Sequence, residues 1–129
     1  MRAREDEIRY LSPLFGGFFD LLRIIQGGAF MKASVAIQVL PETFGNEDEL
    51  IRIVDEVIAY IKSSGLNCYV GPFETTIEGE SYDQLMEIVA NCQKVAIKAG
   101  CPSVSTYVKI VYNPEGEVLT IDKKVSKHH

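Results

Sequence analysis

The sequence predicts an α+β domain, one antiparallel sheet with two helices packed on a single face. Three observations predict it. Two segments repeat apolar residues at helical spacing, each opening on a capping residue and closing on a glycine. Four shorter segments alternate apolar and polar residues or concentrate β-branched and aromatic ones, as strands do. Their order along the chain is strand, helix, strand, strand, helix, strand.

Met31 to Pro41 places Val35, Ile37 and Val39 on one strand face and Ser34, Ala36 and Gln38 on the other, a half-buried strand ended by proline. Asn46 with Glu49 forms a capping box. Leu50, Val54, Val57, Ile58 and Ile61 then recur at helical spacing up to Gly65, so the first helix is expected from about Glu47 to Ser64. Leu66 to Val70 reads as the second strand, Gly71-Pro72 as a turn or bulge, and Thr75 through Ile77 to Gly79 as the third strand. Ser81 with Gln84 opens the second helix. Its stripe is Leu85, Ile88, Val89, Cys92, Val95, Ala96 and Ala99, and Gly100 and Pro102 close it. Ser103 to Tyr112 forms the fourth strand. Asn113-Pro114-Glu115-Gly116 turns the chain, and Val118 to Ile121 is expected to add a short extra C-terminal strand.

This order is the ferredoxin-like βαββαβ sandwich. Right-handed crossovers put both helices on one sheet face, so Val35, Ile37, Val39, Val108 and Ile110 should point toward them. Ser34, Gln38, Tyr107 and Lys109 are then left on the open face. A bare sheet face of that size calls for a partner, and a homodimer or homotetramer paired through its sheets is expected.

Residues 1 to 30 do not fit this plan. They hold Phe15, Phe18, Phe19 and Phe30, and Pro13, Gly16 and Gly17 interrupt any helix. The apolar run is too short, and too broken by Asp20 and Arg23, to span a bilayer, so no membrane partner is expected. One reading is an amphipathic docking segment. The other is that residues 1 to 30 are translated leader, because Gln26-Gly27-Gly28 is encodable as CAA-GGA-GG, a ribosome-binding sequence shortly before an ATG at Met31. The second is the expectation adopted, with a ferredoxin-like domain over residues 31 to 129.

Charge and cysteines narrow the function. Arg2, Arg4, Arg9 and Arg23 balance Glu5, Asp6, Glu7 and Asp20, so the net charge of −5 belongs to the rest of the chain. An acidic domain lacks the clustered Lys and Arg that phosphate contacts need, and no nucleic-acid partner is expected. The three cysteines, Cys68, Cys92 and Cys101, form no CxxC pair. With no secretion signal, they read as reduced thiols in a cytoplasmic protein.

The only histidines, His128 and His129, stand at the C-terminus and read as a disordered tail. A histidine base or a Ser-His-Asp triad inside the fold is therefore unavailable. There is no GxGxxG, no P-loop and no metal-ligand spacing, so no cofactor or metal is expected. What remains is a set of residues on strands. Gln38 is either a ligand contact or a solvated or intersubunit amide. Thr75 and Thr76 have a structural reason to lie in a strand, whereas glutamate is depleted there, which marks Glu78 as a contact to ligand or partner. Glu74 and Glu80 read as solvated. Tyr69, Phe73 and Tyr107 either stack on a flat heterocycle or fill a sheet-to-sheet interface.

The segments Ala33 to Pro41, Gly71 to Glu80 and Ile121-Asp122-Lys123-Lys124-Val125-Ser126-Lys127 together resemble the small thiamine-binding protein family, single-domain relatives of YkoF-like proteins. The resemblance covers Met31 to Lys127. It implies a ferredoxin-like fold assembled into dimers and tetramers, and binding of thiamine or its hydroxymethylpyrimidine moiety without catalysis. Thr75 and Glu78 of Thr-Thr-Ile-Glu-Gly match the family's pattern, and Gln38 matches a polar first-strand position. The expected ligand-binding set is Gln38, Phe73, Thr75, Thr76, Glu78 and Tyr107. Lys109 would repel a thiazolium cation unless paired with an acid such as Glu78. Two other readings stand beside this one: a structural or regulatory oligomer without a ligand, and a small enzyme using Glu78 and Lys109 as acid and base.

Overall fold

The structure is a computed structural model that describes residues 30–129; apart from Phe30, the leader or docking segment expected over residues 1 to 30 lies outside the described residues. The elements are β1 (Ala33–Pro41), α1 (Glu47–Ser63), β2 (Cys68–Val70), β3 (Thr75–Gly79), α2 (Tyr82–Lys98), β4 (Val104–Tyr112) and a short helix α3 (Ile121–Val125) that runs into a 3-10 turn, Ser126–His128. The sheet has the order β2-β3-β1-β4 with antiparallel neighbours throughout. It is the ferredoxin-like α+β arrangement that the element order predicts.

Local chemistry explains both long helices. The Asn46 side chain accepts the Glu49 N–H at 3.0 Å, and the Ser81 hydroxyl accepts the Gln84 N–H at 3.1 Å, so each N-terminus has one orphan donor satisfied. At the other ends Gly65 and Gly100 adopt φ of 75° and 125°, conformations that a Cβ makes costly. The buried stripe of α2 is Leu85, Ile88, Cys92 and Ala96, as the spacing predicts. That of α1 is Ile53, Val57 and Ile61, with Leu50, Val54 and Ile58 only half-buried. The centre of the apolar face is thus turned toward Ile53, a core residue outside the stripe drawn from sequence.

Register carries these stripes onto the sheet. Val35 lies opposite Ile77 on one side and Ile110 on the other, and Ile37 lies opposite Thr75 and Val108. Val35, Ile37 and Ile77 are buried under the helices, with Val39 and Val108 packed against them. Ile110, opposite Val35, shares that face as expected but stays 45% exposed, because it sits near the end of an edge strand with no strand beyond it.

The C-terminal segment departs further. No strand forms at Val118 to Ile121; a single sheet-like bond, from the Val118 N–H to the Met31 carbonyl at 2.9 Å, is followed by a helix that starts at Ile121. The Thr120 hydroxyl accepts the Lys123 N–H at 3.2 Å, so the residue that alternation reads as a strand position acts as an N-cap. Val118 and Ile121 are buried, and the segment covers one end of the sheet face expected to be open. Ser34, expected on that open face, is only 4% exposed for this reason. The terminal histidines are not a free tail either, since His129 Nε2 lies 3.0 Å from the Tyr69 hydroxyl.

Among the described residues no helix is long and apolar enough to cross a membrane. All three cysteines are free, and burial pushes the Cys92 thiol up to about 11. In the unfolded chain the same thiol ionises near its ordinary value, around 8.5. Above that pH the unfolded state sheds a proton that the native state keeps, so stability must fall as pH rises toward 11. The urea midpoint is expected to drop between about pH 8 and pH 10.5, and to drop less in Cys92→Ala, which lacks this thiol. Equal slopes in the two proteins would show that Cys92 contributes nothing to the alkaline loss.

Candidate ligand-binding site

The sheet loses a strand at one end. β3 begins at Thr75, opposite Ile37, whereas β1 continues through Pro41, so Gln38 to Pro41 pair with β4 alone. The space where β3 would have extended is bordered by the turn Gly71-Pro72-Phe73-Glu74, held tight by a 2.9 Å bond from the Gly71 N–H to the Glu74 carbonyl. A Cβ on Gly71 would stand 3.0 Å from that carbonyl, which is why glycine occupies the position. The result is a cleft of about 90 Å³. Its apolar floor is Val54, Val57, Ile58 and Ile61 of α1, and its rim includes Gln38, Phe73, Glu74 and Thr75.

The rim has a simple electrostatic character. Glu74 Oε1 lies 2.8 Å from Lys109 Nζ, with the lysine side chain 72% exposed. Lys109 sits opposite Ala36 in the register, and it crosses β1 above that small residue to reach the turn. The acid that answers Lys109 is therefore Glu74 and not Glu78. Phe73 stands 78% exposed beside it, an aromatic face turned to solvent.

Glu78 lies elsewhere. Its side chain points to the opposite end of the same sheet face, where the C-terminal segment leaves it 3% exposed. Oε1 accepts from Asn67 Nδ2 at 2.8 Å, and Oε2 accepts the Ile121 N–H at 2.7 Å at the start of α3. Both partners are donors, so the carboxylate is fully used inside the fold.

Of the six residues expected from sequence, the structure brings Gln38, Phe73 and Thr75 together on the cleft. Thr75 is buried beneath it, facing the core side opposite Ile37. Thr76 and Tyr107 lie on the uncovered part of the sheet face, Thr76 opposite Ala36 and Tyr69, and Tyr107 opposite Gln38 and 66% exposed. Glu78 lies apart from both groups. Glu74 was passed over because a glutamate after a Gly-Pro turn reads as solvated; the cue available was the odd cation Lys109 in a strand, which needed an acid. Asn67 carried no cue, since its bond to Glu78 depends on how β2 is set beside β3.

The Glu78 geometry generates a prediction. A glutamine at position 78 is neutral, and it can serve the Ile121 N–H and Asn67 together only if the Asn67 amide turns over, so two charge-assisted bonds become neutral ones at a cost of about 1–3 kcal/mol. Glu78→Gln should therefore lower the urea midpoint and speed amide exchange at Ile121 to Val125. Unchanged protection there would show that α3 is held by its apolar contacts alone.

Comparison with known proteins bears on the family and the fold. The sequence model of the thiamine-binding protein family matches residues 35–129. A UPF0045 protein of Clostridium perfringens is 42% identical over 95 residues, which is 74% of this chain and 95% of the relative. Among solved structures, a domain of unknown function from Bacillus cereus is 33% identical with a TM-score of 0.67, over 78% of this chain and 92% of the other. A protein of Thermotoga maritima named for thiamine biosynthesis or salvage is 31% identical with a TM-score of 0.65, over 76% of this chain and 99% of the other. On the extent of these matches, this chain belongs to the thiamine-binding protein family.

Proposed function

We propose that the chain binds thiamine or its hydroxymethylpyrimidine moiety without transforming it, as a sheet-paired homodimer or homotetramer in the cytoplasm, through a domain spanning residues 31 to 129. The observation that carries this reading is the cleft itself, a concave apolar site with an amide, a carboxylate and an exposed phenyl ring on its rim, in a member of this family. An aminopyrimidine needs an acceptor for its exocyclic amine and a donor for a ring nitrogen, and the Gln38 amide carries both. Phe73 offers a flat surface for stacking.

Size supports the oligomer. Small-molecule sites usually enclose about 300 Å³ or more, several times the volume of this cleft, so one subunit supplies part of a site and a second copy closes it. Leu40, Tyr107 and Val111, all at least 40% exposed, lie on the sheet face that such a copy would cover. Thr76 and Tyr107 would then act at the subunit boundary. The ligand-free structural oligomer draws on a different observation, the two bonds that Glu78 accepts inside the fold, which give it a structural role.

Isothermal titration of the protein with thiamine, and separately with hydroxymethylpyrimidine, separates the two. Micromolar or tighter binding is expected, by a species that sediments as a dimer or tetramer. Heatless titrations with both ligands, from an oligomer shown to be folded, would leave the structural role standing. A monomer in sedimentation equilibrium would remove the shared site.

A further inference from the structure

We infer that the Glu74–Lys109 ion pair is the recognition element of the cleft, and that a small organic cation with an apolar body exchanges for the Lys109 ammonium on the Glu74 carboxylate. The inference deepens the binding reading above and rests on it for thiamine, whose thiazolium ring is such a cation. It assigns the charged contact to Glu74, which neither the family pattern Thr75 to Gly79 nor its glutamate, Glu78, contains.

Four features converge on this. Glu74 is the acid among the residues that line the cleft, and the bond to Lys109 uses one of its two oxygens. The pair is an exposed one, 35% and 72% by side chain, and such pairs contribute at most about 1 kcal/mol, so a ligand cation can replace the lysine at small cost. The lysine has somewhere to go, because its side chain already lies largely in water and only leans across Ala36. Next to the carboxylate, Phe73 turns a ring to solvent where a cation can lie over its face, while Val54, Val57, Ile58 and Ile61 receive a hydrocarbon body. A neutral heterocycle would gain from the floor and from Gln38, and from Glu74 at most a hydrogen bond without the attraction of opposite charges.

Glu78 cannot play this part without cost. Its two oxygens already accept from Asn67 and Ile121, and a cation there would have to displace the start of α3. Glu74 gives up only a solvated lysine.

The test uses the full chain and four titrants at about pH 8: thiamine and hydroxymethylpyrimidine, then benzyltrimethylammonium and benzyl alcohol as a cationic and a neutral probe free of thiamine chemistry. Lys109→Met is expected to bind both cations about two- to fivefold more tightly, the affinity equivalent of a weak surface pair. Glu74→Gln is expected to bind them about tenfold more weakly. The neutral titrants should shift less than twofold in either variant. Both substitutions lie on exposed side chains, and thermal melting confirms that the variants are folded.

Cation affinity unchanged in Glu74→Gln, from a wild type that binds thiamine, would overturn the inference and leave the binding reading intact. So would cation binding lost only in Glu78→Gln with α3 still protected from exchange. Benzyltrimethylammonium binding that follows Glu74 and Lys109, in a protein indifferent to thiamine, would support the exchange site and sink the vitamin reading. No cation bound at all by the wild type would sink both.

Discussion

β1 is the strand with a partner on both sides and both long helices above it, and its register decides what every other element can do. Side chains alternate faces along a strand, so a slip of one residue against β3 or β4 would exchange Val35 and Ile37 for Ser34, Ala36 and Gln38 beneath the helices. The core would then meet an amide and a hydroxyl instead of two aliphatic side chains. Ile77, Leu85 and Cys92 are buried in the same core cluster as Val35 and Ile37. The same pairing fixes the other face. It sets Lys109 over Ala36 and Tyr107 beside Gln38, and so brings a cation within reach of the β2–β3 turn.

Glu78 shows how a buried charge can organise a chain end. Taking a carboxylate out of water is unfavourable unless hydrogen bonds replace the hydration, and here a side-chain amide and a backbone N–H do so. The backbone donor belongs to the first turn of α3, one of the groups that a helix start leaves without an internal partner. Acid and helix therefore satisfy each other. Once that contact exists, Val118 and Ile121 have a surface to bury against, and the segment as far as His129 lies along the sheet. A five-residue helix would not persist in isolation; tertiary contacts sustain it.

The helices were legible because each local rule agreed with the next: Asn46 and Ser81 as caps, Gly65 and Gly100 as stops, and a stripe between them. The strands were legible for the same reason, through Val35, Ile37 and Ile77. Ile53 was missed since two turns of helix allow neighbouring stripes, and only the packed sheet selects one. Val118 to Ile121 misled because an apolar alternation of four residues fits a strand and a buried helix start alike, and the choice was made by Glu78, distant in sequence. The candidate site was legible only in part. Gln38 and Phe73 stood out by residue type, whereas Glu74 acquires its meaning from where β3 begins relative to β1, a fact of register and not of composition.

Large apolar side chains stay exposed at both ends of the sheet, Val111, Tyr112 and Leu119 at the α3 end among them, but the Pro41 end adds a strained turn and an open cleft. Phe44, in the loop after β1, is 81% exposed and holds φ of 51°, a conformation uncommon for a residue with a Cβ. Its N–H is tied to the Glu42 carboxylate at 3.0 Å, so the strained turn is held and not merely visited. Leu40, Val70 and Phe73, at the same end, all keep 40% or more of their surface in water. At the opposite end, by contrast, α3 satisfies the buried acid. A chain that satisfies its buried acid at one end of the sheet, yet leaves a strained turn, an exposed phenyl ring and an unfilled cleft at the other, keeps the second end available for contact, and the binding surface we propose lies there, at the Pro41 end of β1.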